Sequence, residues 1–153
     1  MAGFAKSISY RLAHASKLHR ARASGLLSQI GLYPGQETIL KALAKGDKHS
    51  MSELADSLCV RAPTITKMVS RLSSQGLVER YAPGADSRAM QVRLTKLGRA
   101  RADEIDDIWR KLEKKTLAGL GGKKRKRLRK LLKKVGKNLI AIEKLAANDD
   151  DAG

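Results

Sequence analysis

The sequence predicts a mainly α-helical chain carrying one small β-hairpin, and three observations predict it. Ala, Leu and Lys/Arg are abundant while aromatics make up only 3% of the 153 residues, a composition that suits helices better than a β-sandwich. Apolar residues recur at helical spacing along most of the chain. The period shortens towards two in just two stretches, 77–81 and 90–94, separated by a Pro- and Gly-containing segment, as in a hairpin.

The elements follow in order. Residues 5–30 place Ile8, Leu12, Ala15, Leu26, Leu27 and Ile30 among Lys, Arg and His, a loose helical pattern that Gly31 to Gly35 ends. A second helix should start near Pro34, a residue tolerated in a first turn, and run through Ile39, Leu40 and Leu43. Ser50-Met51-Ser52-Glu53 has the form of a capping box, opening a helix with Leu54, Ala55 and Leu58 on one face. After a turn at Cys59-Val60-Arg61, a further helix spans about 62–75, with Pro63 in its first turn, Ile65, Met68, Val69 and Leu72 as its buried stripe, and Gly76 as its stop. Thr95 reads as the N-cap of a long helix from Lys96 to about Leu117. The glycines at 119, 121 and 122 break it, and a last helix over about 123–147 carries Leu128, Leu131, Leu132, Val135, Leu139 and Ile142 in an a/d-like stripe.

Length fits about one domain, and 42% hydrophobic with 31% charged residues disfavours a disordered chain. No apolar run approaches the roughly 18 residues a membrane span needs, so a membrane partner is not expected. No apolar segment of a signal peptide follows Met1, and the single cysteine, Cys59, excludes an internal disulfide and a multi-cysteine metal site. The expected setting is a reducing cytoplasm. No Gly-rich phosphate loop, metal cluster or nucleophile–base constellation is present, so neither an enzyme nor a cofactor is expected.

Charge points to a partner. Lys and Arg number 32 against 15 Asp and Glu, a net +17, and such an excess repels itself unless a polyanion is near. Residues 123–137 hold ten basic and no acidic residues; without them the balance is 22 to 15, or +7. The basic run is read first as a solvated face, with a second DNA contact and a membrane-surface helix as the alternatives. The acids Asp103, Glu104, Asp106 and Asp107 are expected to balance part of it.

Two short helices joined by a tight turn and followed by a hairpin describe a winged helix–turn–helix, whose second helix enters the major groove. On the helix from Ala62, removing the buried stripe leaves Arg61, Thr64, Thr66, Lys67, Ser70 and Arg71 outside, donors suited to phosphates and to guanine O6/N7. A solvated amphipathic helix has the same face, and the helix alone does not decide between the two. The hairpin tip tilts the balance: Pro83, Gly84, Asp86 and Arg88 present one long cation on a stiff loop, a shape for a narrow minor groove. Asp86 is expected to hold the Arg88 guanidinium by a bidentate pair, with a surface turn carrying an incidental ion pair as the alternative.

The run Leu54-Ala55-Asp56, then 63–69 (Pro-Thr-Ile-Thr-Lys-Met-Val), Leu72, 76–80 (Gly-Leu-Val-Glu-Arg), Asp86-Ser87-Arg88 and 94–98 (Leu-Thr-Lys-Leu-Gly), resembles the MarR family of bacterial transcriptional regulators. The Asp-x-Arg wing followed by Leu-Thr-x-x-Gly is its most specific part, and the flanking helices extend the resemblance over nearly the whole chain. The resemblance implies a homodimer: an N-terminal dimerisation helix in 1–33, a winged helix–turn–helix lobe in 34–95, a long helix and C-terminal dimerisation helix in 96–147, and an acidic disordered tail in 148–153. It implies that Pro63, Thr64, Thr66 and Lys67 approach the major groove of double-stranded DNA and that Arg88 enters the minor groove. It further implies a repressor on a pseudo-palindromic operator, released by a small anionic or phenolic effector. An architectural, nucleoid-type protein with little sequence preference is the alternative.

For an effector, Arg11, His14, Tyr33 and Trp109 are the candidates, although Trp109 beside Ile105 and Leu112 also fits core packing, the commoner role. Cys59, between Leu58 and Val60, is expected to be a small buried residue rather than a redox switch. His14 and His19 are offset by about 140° on a helix, poor for joint metal binding, and His49 is read as an isolated loop residue, so no metal is expected.

Overall fold

The computed structural model describes residues 3–46, 49–85 and 90–150. Among these, a short 3-10 turn at Phe4–Lys6 leads into α1 (Ile8–Ser28), α2 (Gln36–Gly46), β1 (His49–Ser50), α3 (Met51–Leu58), α4 (Ala62–Ser74), β2 (Val78–Tyr81), β3 (Gln91–Leu94), α5 (Lys96–Thr116) and α6 (Gly122–Asp150). The mainly helical class with its small β element is as expected. Two compact units result, one ending at Thr116 and one beginning at Leu117.

The first unit is organised by one core. Leu27 and Leu32, the α2 residues Ile39, Leu40 and Leu43, Leu54 of α3, and Ile65, Val69 and Leu72 of α4 are all 2% exposed or less. Val92 of β3 and Ile105 of α5 complete the same cluster. Burying each such side chain contributes roughly 1.5–3 kcal/mol relative to leaving it in water. The stripe read on α4 is therefore what sets that helix's rotation about its own axis.

The sheet has three strands rather than two, in the order β1-β3-β2, all antiparallel. His49 pairs with Val92 and Ser50 with Gln91, which corrects the loop reading of His49. Two residues are too few for any periodicity, so β1 exists only because β3 offers it a free edge.

Three further corrections concern ends and turns. Residue Gln36, not Pro34, opens α2, because the Gln36 side chain accepts from the Tyr33 backbone N–H at 3.0 Å and the turn at 33–35 precedes the helix. The last helix continues to Asp150, three residues into the segment expected to be a tail. Cys59 is exposed, not buried. It stands at the C-cap of α3 in the left-handed region, φ 52°, where a helix usually places glycine; the turn that reverses the chain into α4 points its side chain outwards.

The Leu-Thr-x-x-Gly motif has a packing reason. The Thr95 hydroxyl donates to the Gly76 carbonyl at 2.6 Å and accepts from the Gly98 N–H at 3.0 Å, capping α5 as expected. Thr95 N–H donates to the Leu77 carbonyl. A Cβ on Gly98 would lie 1.8 Å from that same Leu77 oxygen, so only glycine lets α5 approach the turn between α4 and β2 this closely.

Candidate nucleic-acid interface

The helix–turn–helix is held at both ends by its own side chains. At the start of α3 the capping box forms in full: Glu53 N–H donates to Ser50 Oγ at 3.1 Å, and Ser50 N–H donates to Glu53 Oε2 at 2.7 Å. The Ser50 backbone N–H, with the Ser50 hydroxyl behind it, holds the Glu53 carboxyl below its ordinary value. At the end of α4 the fastening is long-range. Gln36, only 2% exposed, donates through Nε2 to Gln75 Oε1 at 3.1 Å, and Gln75 Nε2 donates to the Gly31 carbonyl at 2.9 Å. The α1–α2 turn is thus bonded to the C-terminus of α4.

Between those fixings α4 turns one polar face outwards. Arg61 stands at its N-cap in extended conformation, and Arg61, Pro63, Thr64, Thr66, Lys67, Ser70 and Arg71 are all exposed while Ile65, Val69 and Leu72 are buried. The Thr66 hydroxyl donates to the Ala62 carbonyl at 3.0 Å, which presents its methyl group and leaves the oxygen lone pairs available. Ser70 Oγ accepts from Arg80 Nη2 at 2.8 Å. Arg80, on β2, is a residue that sequence reasoning missed: it stands ten positions beyond Ser70, and only the return of β2 alongside α4 brings its guanidinium to this face. Arg93 on β3 is engaged elsewhere, with Glu79 at 2.6 Å and over the Tyr81 ring at 4.4 Å. The wing residues Asp86 and Arg88 lie outside the described residues.

The effector candidates do not converge. Arg11 and His14 are exposed on α1, where His14 stacks on Tyr10. Trp109 is half-buried against the core and meets His19 edge-on at 6.1 Å. Tyr33 is 62% exposed and lines an open concavity with Lys67, Ser70 and Arg71, beside the α4 face. Among the described residues no hydrogen bond, ion pair or ring contact joins two of these four. A different concavity of about 620 Å³ lies between α1 and α5, with Leu26 and Leu112 among its lining and the cations Arg22, Lys111 and Lys115 around it. Sequence reasoning passed over it because its residues belong to two helices some ninety positions apart. Among the described residues no cluster of His, Cys, Asp and Glu has the make-up of a metal site.

A capped helix–turn–helix, an outward polar second helix and an adjoining antiparallel ribbon define a winged-helix DNA-binding protein. The MarR family model matches residues 32–90. The chain is 29% identical to the transcriptional repressor IacR of Pseudomonas putida over 87% of its length and 80% of that protein's. It is 31% identical to the transcriptional regulator YwoH of Bacillus subtilis, covering 71% of this chain and 79% of that one. Among solved structures, a MarR mutant from E. coli complexed with operator DNA superposes with a TM-score of 0.77 at 27% identity, covering 88% of this chain and 99% of the other. A Mycobacterium tuberculosis MarR family protein in complex with salicylic acid gives 0.68 at 26% identity, covering 84% and 96%. The chain belongs to the MarR family, a family of transcriptional regulators that bind DNA.

Proposed function

We propose that this regulator is a sequence-specific repressor acting as a homodimer in the cytoplasm, each subunit laying α4 in a major groove and its wing in the flanking minor groove. The observation that carries the reading is the α4 face: seven exposed residues of donor or small type, with the buried stripe behind them fixing which way they point. Arg61, Thr64, Thr66, Lys67, Ser70 and Arg71 supply phosphate and base-edge contacts, Pro63 packs against the groove, and Asp86 steadies Arg88 for the minor groove. Similarity to an operator-bound relative supports this use of the lobe. Two-fold pairing is supported by apolar side chains that each unit leaves in solvent, Phe4 at 80% and Ile8 at 82% in the first, Leu139 at 55% and Ile142 at 63% in the second; exposed apolar patches of this kind are normally covered.

A small effector would enter between α1 and α5 rather than among Arg11, His14, Tyr33 and Trp109. The concavity between α1 and α5 joins apolar walls to three cations, the make-up that suits a small aromatic carboxylate, and a relative has been seen with salicylic acid. Binding there releases DNA only in so far as the ligand prefers a lobe spacing that misses the two grooves.

Titration of the dimer against the duplex upstream of its own gene, and against a shuffled duplex, tests the proposal by fluorescence anisotropy at about 150 mM salt. A preference of at least ~10³-fold for the native duplex is expected. Equal affinity for every candidate operator and its shuffled counterpart would overturn the repressor reading in favour of an architectural one.

A further inference from the structure

The second unit carries a charge pattern that the winged lobe does not explain. At about 100° per residue along α6, Lys123, Lys126, Lys130, Lys133, Lys134 and Lys137 fall within an arc of about 100°, and every one of them is exposed. The apolar stripe from Leu128 to Ile142 occupies the opposite side of the same helix. Among the described residues none of the six lysines pairs with a carboxylate. Three of the α5 acids expected to balance them are instead paired within the first unit, Asp106 with Lys41, Glu104 with Arg101 and Asp107 with Arg110.

Charge identifies the partner. Residues 123–137 span roughly 21 Å of helix, so the six lysines, at five intervals, set one positive charge about every 4.2 Å along one side. Duplex DNA, the polyanion this family binds, carries one phosphate charge per roughly 1.7 Å of axis with both strands counted, dense enough to engage the whole row. Lysine is a flexible point charge rather than a bidentate reader, and no Asn, Gln or Arg stands within that arc to address a base edge. From this charge complementarity we infer that the outer face of α6 is a second DNA-binding surface, one that holds the phosphate backbone without reading sequence and acts in addition to α4. A membrane surface is the less favoured partner: a helix lying in lipid needs its apolar side free, which the proposed dimer would cover, and α6 has no aromatic anchor.

This inference rests on the DNA-binding reading, and the test separates the two. The full-length protein and its Lys126→Gln/Lys130→Gln/Lys133→Gln/Lys134→Gln/Lys137→Gln variant are titrated with operator and with random 30-bp duplex over a range of salt. Glutamine matches lysine in helix propensity, and circular dichroism with sizing checks fold and assembly. Should the fivefold variant fail either check, Lys126→Gln/Lys133→Gln takes its place. The expected result is a plot of log K against log salt that is shallower by up to about 4.5 for five substitutions, or about 1.8 for two. Affinity for random duplex should fall at least about tenfold for the fivefold variant at ~100 mM salt, with the ratio of operator to random affinity kept. An unchanged slope on random duplex overturns the inference. So does loss of binding to phosphatidylglycerol-containing vesicles with DNA binding intact, which would assign the face to membranes. Wild-type protein without operator preference, together with a shallower slope in the variant, would sink the repressor reading and keep this one.

Discussion

The two units of this regulator are both basic, yet they arrange their cations in opposite ways. On α4 a few cations are interleaved with hydroxyls, and the helix beneath them is fixed by Ile65, Val69 and Leu72 in the core, by the Ser50–Glu53 box ahead of it, and by Gln36–Gln75–Gly31 at its end. On α6 six lysines repeat along a row, with no carboxylate partner among the described residues. Mixed donors on a fixed frame can discriminate between bases, because a hydrogen bond to a base edge fails when its donor is displaced by about an ångström. A uniform lysine row contributes attraction that any sequence satisfies. The contrast teaches that net charge says little about specificity; what the charge is mounted on decides.

Breaking the frame should therefore hurt operator recognition more than removing any single side chain from the α4 face. Leu54 is fully buried at the back of the helix–turn–helix, and Leu54→Ala should cost about 2–5 kcal/mol of stability, read by chemical denaturation. Gly98→Ala should come next, at about 1–3 kcal/mol, because its methyl would meet the Leu77 carbonyl; its melting temperature should fall, while the salt dependence of random-duplex binding by the folded protein stays. Lys67→Ala, which leaves the frame intact, should weaken operator binding by about 1–3 kcal/mol if the side chain reads a base, and much less on random duplex.

Smaller effects sharpen the same comparison. Ser50→Ala removes the α3 cap and should cost about 1 kcal/mol near pH 7. Because the folded state holds the Glu53 carboxyl low, its share of that cap is present above the ordinary value of 4.5 and is lost as pH falls through the lowered one. The gap between wild type and Ser50→Ala should accordingly narrow in acid, as thermal melts at stepped pH would show. At the low end, Cys59→Gly relieves a left-handed backbone and should raise stability by a few tenths to about 1 kcal/mol, again read by thermal melts.

What was legible in the sequence, and what was not, follows from range. The stripe of α4, the capping box and the Thr95 cap are local patterns, and each is read within about seven residues. β1 has two residues and no pattern of its own; its pairing with β3 joins positions over forty apart. The Gln36–Gln75 bond spans 39 residues, and the Arg80–Ser70 bond depends on how β2 returns beside α4. The exposed face of α4 could be named from its spacing, but the expected effector set of Arg11, His14, Tyr33 and Trp109 required knowing how α1 and α5 lie together. Apolar neighbours suggest burial for Cys59, whereas its left-handed cap position turns the side chain to solvent.

If, as proposed, specificity belongs to α4 and sequence-independent attraction to α6, the two surfaces separate in the ratio of operator to random-duplex affinity, measured by anisotropy for wild type, Lys67→Ala and the α6 glutamine variant at one salt concentration. Lys67→Ala should lower the ratio by about tenfold or more, corresponding to the removal of one base-edge interaction, while the α6 variant should lower both affinities and leave the ratio unchanged. A ratio that collapses in the α6 variant and survives in Lys67→Ala would contradict that division.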